Sequence, residues 1–485
     1  MDAIDVRVVD QSRVVGDVGV SDRLGPIANG HRRAAHVNGQ GAGPRYRAIS
    51  ERRLDRIPQL AGRPADERFA MRVVSQVLPF RTNNYVVDLI DWSRVPDDPI
   101  YQMTFPQRGM LDPGDFDRVA DLLKRGATRE QIEPVVASIR EGLNPHPAGQ
   151  RELNIPADDQ TGTLEGIQHK YRETVLFFPS RAQTCHAYCT FCFRWAQFVG
   201  KDMKIYAKQM TGLHRHLATH QEVTDLLITG GDPMVMKAPV LSRYLQPILE
   251  SPEMSHVRNI RIGTKSLTFW PYRFVTDPDA DELLRLLERV VESGRHVAIM
   301  AHFNHWRELS TDVVRTAIRR LRDAGAVVRA QAPLLRHIND DAAVWQRMWE
   351  DEVRLGIVPY YMFVERDTGA KRYFEVPLAR AQRIYADAIR KVSGLARTAR
   401  GPSMSAAPGK VEVVGVQEVR GEKVFVLRFL QGRNPDWVGV PFFAAFDPKA
   451  TWLDQLQPAF GEERFFFEDD FASMRERSLE SAVGP

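Results

Sequence analysis

The chain has 485 residues, 43% of them hydrophobic and 26% charged, which is globular composition with length enough for a large core and one to three domains. A net charge of +4 is a mild bias for this length, and no basic tract of the nucleic-acid-binding kind occurs. The first residues lack the apolar core of a signal peptide, and no run reaches the roughly 18 apolar residues of a membrane span, so a soluble cytoplasmic protein without nucleic-acid or membrane partners is expected.

Residues 1–45 are rich in Gly, Asp, Arg and Val without periodicity and read as a flexible leader. Residues 46–165 carry amphipathic helical patterns, such as DERFAMRVVSQVL at 66–78 and TREQIEPVVASIREGL at 128–143, and close on a link rich in proline and polar residues. From 166 to 400 the rhythm changes. Short apolar runs at 174–179, 225–231, 257–264, 295–303, 326–335 and 357–364 alternate with helical stretches. Strand, helix, strand at this spacing means βαβ units and a parallel sheet, and six repeats point to a partial or full (β/α) barrel. Ligand chemistry is then expected at the C-terminal ends of the strands. Residues 401–485 read as a β-rich extension, with alternating runs around an RGEK turn. The fold class is α/β: a barrel with an N-terminal helical region and a small C-terminal extension. The aromatic stretch RNPDWVGVPFFAAFDPKATWLDQLQPAFGEERFFFE fits a cover for the barrel mouth, a subunit interface or plain core packing.

The chain has three cysteines, Cys185, Cys189 and Cys192, all within one loop after the first barrel strand. An odd count argues against a disulfide framework and for a reduced metal site. Three thiolates on a [4Fe–4S] cube leave the fourth iron open. An open iron can chelate the amino and carboxylate groups of S-adenosylmethionine (SAM), and one electron then cleaves the sulfonium to a 5′-deoxyadenosyl radical. A zinc site is the competing arrangement, but zinc favours four ligands in two CxxC pairs, and His186 lies inside the loop with poor reach.

The CxxxCxxC loop resembles that of the radical SAM superfamily, whose fold is a partial or full (β/α) barrel. By that resemblance Phe191 lies near the SAM adenine. Gly230-Gly231-Asp232-Pro233, weak alone because it also suits a plain turn, looks like the motif that binds the SAM amino group. His169-Lys170-Tyr171, Cys192-Phe193-Arg194, Arg261-Ile262-Gly263, His302-Phe303-Asn304-His305, Leu334-Leu335-Arg336-His337-Ile338-Asn339-Asp340 and Pro359-Tyr360-Tyr361 follow in order. Together they resemble the lysine 2,3-aminomutase family over most of the chain. That family moves an α-amino group to the β-carbon with the deoxyadenosyl radical and pyridoxal 5′-phosphate (PLP). The resemblance implies that Arg194 pairs with the substrate carboxylate and that Lys410 carries PLP. It implies that Lys170 and Tyr171 touch the cofactor, and that His302 and His305 serve the SAM or substrate pocket rather than a metal. It also implies an electron donor such as flavodoxin or ferredoxin, and a possible homo-oligomer.

The sequence departs from the family in three places. The glycine run before the PLP lysine is reduced to Pro408-Gly409. Thr174 stands where the family has a second phosphate-binding cation, leaving Arg172 or Arg181 to replace it. Arg366 and Ser405 occupy the positions where lysine-specific members hold the distal ammonium with aspartates, and glutamate-specific relatives are also basic at the first position. In this register the substrate is an amino acid other than lysine, and an acidic one suits Arg366. A one-residue shift would place Glu365 or Asp367 there instead. Two other readings stand beside the aminomutase: a PLP-independent radical enzyme of dehydrogenase or epimerase type, and a non-catalytic scaffold.

Overall fold

A computed structural model describes residues 43–144, 153–158, 162–199, 205–207 and 210–482. Residues 1–42 of the expected leader lie outside them.

The six expected strands all form, and each is hydrogen-bonded to its sequence neighbour. They belong to one eleven-stranded sheet whose spatial order is the chain order. The strands are β1 (Ile167–Tyr171), β2 (Thr174–Phe177), β3 (Asp225–Ile228), β4 (Asn259–Thr264), β5 (His296–His302) and β6 (Val327–Leu334). Next come β7 (Val358–Val364), β8 (Arg400–Ser405), β9 (Gly409–Val419), β10 (Glu422–Gly432) and β11 (Pro441–Ala445). Strands β2 to β8 pair in parallel. β1 is antiparallel at one edge, and β9, β10 and β11 continue antiparallel at the other. Helices connect the parallel strands, among them α1 (Ala238–Glu250), α2 (Ala280–Glu292), α3 (Asp312–Asp323), α4 (Ala342–Arg354) and α5 (Leu378–Ile389). α2 buries Leu283, Leu287 and Val290 on one stripe, at the spacing that makes a helix seat on a sheet.

Of the expected partial or full barrel, the α/β sheet is present and closure is not: among the described residues no ladder joins β1 to β11. The sheet nevertheless curls. Lys170 Nζ on β1 donates to the Ala406 carbonyl just after β8, seven strands away in sheet order. The right-handed twist of successive parallel strands supplies that curl, and it brings the two flanks of the sheet around one interior.

The C-terminal strands extend the same sheet, and the described residues close on a helix, Glu468–Ala482, that the alternating pattern did not suggest. The aromatic stretch turns out to be core: Trp437, Phe442, Phe465 and Phe467 are buried with Phe425 and Phe429 in a second apolar cluster. No helix among the described residues is long and apolar enough to cross a membrane.

Candidate active site

The cysteine loop leaves β2 through a short turn at Ser180–Ala182 and is fastened from two sides. From the N-terminal region, Arg81 donates to Thr184 Oγ1 and to the Cys185 carbonyl (3.4 Å), and the Arg81 carbonyl accepts from Tyr188 N (2.8 Å). Asn83 Nδ2 and Tyr46 OH both donate to the His186 carbonyl (3.1 and 2.7 Å), and Thr190 N donates to the Met103 carbonyl (3.0 Å). His186 is itself buried, with Nδ1 2.9 Å from Ser266 Oγ. Its ring is therefore committed away from the thiols, as its poor reach in the sequence suggested.

From the sheet, the Gly230–Pro233 turn packs beneath the loop. Gly231 N donates to the Ala182 carbonyl (2.8 Å) and Asp232 N to the Thr184 carbonyl (2.8 Å). A Cβ on Gly231 would stand 2.6 Å from the Thr184 oxygen, so only glycine permits this approach. The Asp232 carboxylate accepts from Met234 N (2.9 Å), Thr264 Oγ1 (2.7 Å), Lys265 N (2.9 Å) and Ser266 Oγ (3.0 Å). Burial raises its pKa and these donors oppose the rise. The motif's amides and carboxylate thus position the cysteine loop against the end of β4.

Cys192 and Cys189 both raise the proton affinity of Cys185, and Cys192 that of Cys189, though burial is the larger cause throughout and takes Cys192 up to about 11. Cys192 N donates to the Cys189 carbonyl (3.2 Å), a turn that puts these two on one side. Phe191 between them is buried, its ring edge-on to Phe374 at 5.9 Å. Arg194 follows at once. Its Nη1 donates to Thr229 Oγ1 and to the Gly230 carbonyl (3.1 Å), and its guanidinium lies over Phe178 and Phe193. Burial pushes its pKa down to about 10, which leaves it a cation at neutral pH.

His302 ends β5. Its Nε2 is 3.1 Å from Gln331 Nε2, on the neighbouring strand, and burial, Lys265 and Arg194 hold its pKa down to about 3, so the ring is neutral. His305 uses Nδ1 to accept from Arg307 N (3.2 Å), a helix-capping role. Neither ring belongs to a cluster with metal-binding geometry among the described residues.

On the opposite flank β9 carries Lys410. The short Pro408-Gly409 pair is sufficient here: a Cβ on Gly409 would stand 2.4 Å from the Gln431 carbonyl, so glycine lets β9 press against β10. Lys410 then faces Gln431 across the ladder, and its Nζ donates to Gln431 Oε1 (2.9 Å) and lies 4.1 Å above the Tyr361 ring. Burial, and then the Arg261 and Arg400 guanidinium groups, push its pKa down to about 7. Ser405 sits directly opposite it on β8.

Lys170 completes a cluster of cations. Burial, then Arg433, Arg366 and Lys410, hold its pKa well below the ordinary lysine value. Arg433 donates to the Ala407 carbonyl (2.9 Å), the Leu153 carbonyl (3.2 Å) and Asn154 Oδ1. Arg366 donates to the Ser405 carbonyl (3.3 Å) and lies 5.0 Å from the centre of Phe193, the ring that also carries Arg194. Tyr171 is beside Arg433 and Arg366. One interior therefore runs from Cys192 through Arg194 and Arg366 to Lys170 and Lys410.

No family model matches the chain. It is 29% identical over 391 residues to a putative L-lysine 2,3-aminomutase of Aquifex aeolicus, covering 81% of this chain and 91% of that protein. An L-lysine 2,3-aminomutase of Bacillus subtilis is 24% identical over 69% of this chain and 60% of its own length. A glutamate 2,3-aminomutase of Clostridioides difficile is 26% identical over 46% of this chain and 50% of its own. Over most of its length the chain is therefore similar to L-lysine 2,3-aminomutases.

Several residues of the candidate site were invisible to sequence reasoning. Arg433 is the cation beside Lys170, whereas Arg172 and Arg181 are exposed, Arg172 paired with Glu173. Arg81 and Asn83, which fasten the cysteine loop, lie about 100 residues upstream of it. The aminomutase-like motifs covered neither set, since ordinary arginines at turns and strand ends carry no spacing signal.

Proposed function

We propose that this enzyme is a SAM-dependent 2,3-aminomutase that moves the α-amino group of a free amino acid to the β-carbon, with PLP as second cofactor. Lys410 carries the reading. It is a half-buried lysine whose amine is about half neutral near pH 7, set beside two further cations, Lys170 and Arg433, which bond to neutral oxygens. Burying cations without carboxylate partners costs stability that a bound anion restores. A neutral amine with a cationic cradle nearby is the chemistry PLP requires: a Schiff-base nucleophile and a phosphate site.

Cys185, Cys189 and Cys192 would hold three irons of the cluster, and Phe191 an apolar wall beside SAM. When bound, cluster and SAM supply the radical that takes a β-hydrogen, and PLP carries the amino group as it migrates. Arg194 holds the substrate carboxylate, its fork set by Thr229 and Gly230. His302 stays neutral and orients Gln331. An electron comes from a flavodoxin- or ferredoxin-type donor.

Arg366 argues against lysine as substrate. Its guanidinium would repel a substrate ammonium, Ser405 stands opposite Lys410, and the carboxylates near Arg366 are those of its own neighbours Asp367 and Glu365. An acidic amino acid fits it best. Arg433 weakens the PLP-independent alternative, whose main support was the missing cation at Thr174.

The test is anaerobic reconstitution with PLP, borohydride reduction and peptide mass mapping, followed by incubation with single amino acids and SAM. The expected results are a pyridoxyl adduct on Lys410 and a 3-amino isomer from an acidic amino acid. A loaded cluster with no lysine adduct would overturn the aminomutase reading, and efficient turnover of lysine would overturn the substrate reading.

A further inference from the structure

Outside this interior, three histidines converge. His169 lies on β1, while His216 and His220 lie one helical turn apart at the end of the helix Thr211–Thr219. One ring nitrogen of each lies within 4.8 Å of the other two. We propose that His169, His216 and His220 form a binding site for a divalent transition ion of the zinc type.

The orientation of the rings carries the inference. His169 Nε2 is 3.1 Å from the Arg172 carbonyl, so this nitrogen holds the proton and Nδ1 turns its lone pair towards His216. His220 Nδ1 is 2.8 Å from the His216 carbonyl, so it too donates there and leaves Nε2 as the ligand atom. Supporting carbonyls that fix tautomer and ring angle are what metal-bound imidazoles ordinarily have. His216 Nε2 and His169 Nδ1 are 3.0 Å apart. Two nitrogens on one tetrahedral zinc stand about 3.3 Å apart, given Zn–N near 2.0–2.1 Å, so a small opening admits the ion. Burial lowers the pKa of His169, and Glu222 is close enough to oppose that fall. Three imidazoles select zinc and its borderline neighbours over magnesium or calcium, and a water can complete the shell.

The site is built on the strand that carries Lys170. The antiparallel register shifts between His169 and Tyr171, and at that shift His169 turns to the helix while Lys170 reaches the Ala406 carbonyl. An ion there clamps the edge of the sheet to the helix.

The probe is zinc chloride, added to the cluster-loaded full chain and followed by desalting, metal analysis and zinc X-ray absorption. One zinc per chain with imidazole nitrogens and no sulfur in its shell is expected. His216→Asn and His220→Gln should each weaken binding by more than the roughly 10- to 100-fold that loss of a supporting partner costs, with iron content unchanged. His220 ends its helix half-buried, which makes its variant the safer test of folding. No stoichiometric zinc in the wild type, sulfur in the zinc shell, or equal zinc in folded variants would each overturn the proposal and leave a histidine–histidine hydrogen bond only.

Discussion

Around the cysteine loop, backbone groups meet matched partners: Asn83 and Tyr46 at the His186 carbonyl, Arg81 at the Cys185 carbonyl, and the Ala182 and Thr184 carbonyls at the amides of Gly231 and Asp232. Around Lys410 the balance is reversed. Arg433, Arg366 and Lys410 gather around Lys170 where burial already disfavours charge, and each of the three lowers its proton affinity. The first region is finished before any ligand arrives, and its shape is fixed by hydrogen bonds and by a glycine that admits close contact. In the second, Lys170 and Arg433 bond to neutral oxygens, and a bound anion would offset their charge. The contrast separates a site that must hold its geometry through electron transfer from one that must capture a charged cofactor and substrate.

The largest effect should come from the finished region. Cys185→Ala removes one of the three proposed iron ligands, so bound iron and 5′-deoxyadenosine formation should fall to background. Retention of full SAM cleavage would mean that the cluster is held elsewhere. Next comes the incomplete region. Lys410→Ala should abolish the pyridoxyl adduct and lower isomerisation by roughly 10³-fold or more, the scale of losing a covalent catalytic step. The cluster should form normally in this variant, because Lys410 touches none of the loop. A variant that loses iron as well would show that the two regions are not independent.

A smaller effect tests the cation cradle. A hydrogen bond to a charged group contributes roughly 1.5–3 kcal/mol, so Arg433→Ala should weaken PLP binding by roughly 10- to 100-fold, with Arg433→Lys in between. Arg172→Ala removes an exposed pair with Glu173 and should leave PLP affinity within about twofold. Titration of PLP by fluorescence checks both, and equal loss in the two variants would dissolve the cradle.

This difference also explains what was legible in the sequence. The cysteine loop is contiguous, and its spacing states its chemistry. The parallel strands were readable because βαβ units alternate a period of two with a period of 3.6. That the sheet stays open was not readable, since closure depends on whether the edge strands find a ladder, and β1 and the β9–β10 hairpin are antiparallel additions. The proposed anion site joins residues 170, 366, 410 and 433, which meet only because the sheet curls, so Arg433 carried no local signal and the exposed Arg172 and Arg181 drew attention by adjacency. The aromatic tail was ambiguous for a similar reason: Phe465 and Phe467 show their burial only once β10 and β11 are in place against them.

The smallest predicted effect is the sharpest probe of the incomplete region. Only the neutral amine of Lys410 attacks an aldehyde. An ordinary lysine near 10.5 would be almost wholly protonated at pH 8, but burial with Arg261 and Arg400 places Lys410 at about 7. Its neutral fraction, and with it the rate of borohydride-trapped PLP capture, should rise about tenfold from pH 6 and level off above pH 8, with a midpoint near 7. The sign for stability follows from the same shift. Between 7 and 10.5 the unfolded chain binds the extra proton, so the PLP-free enzyme should gain stability as pH rises through that window. Lys410→Met should flatten that slope. A capture rate still climbing at pH 9 would mean that Arg261 and Arg400 lie too far from the amine to act on it, and the contrast between a satisfied loop and a charged, waiting pocket would lose its central residue.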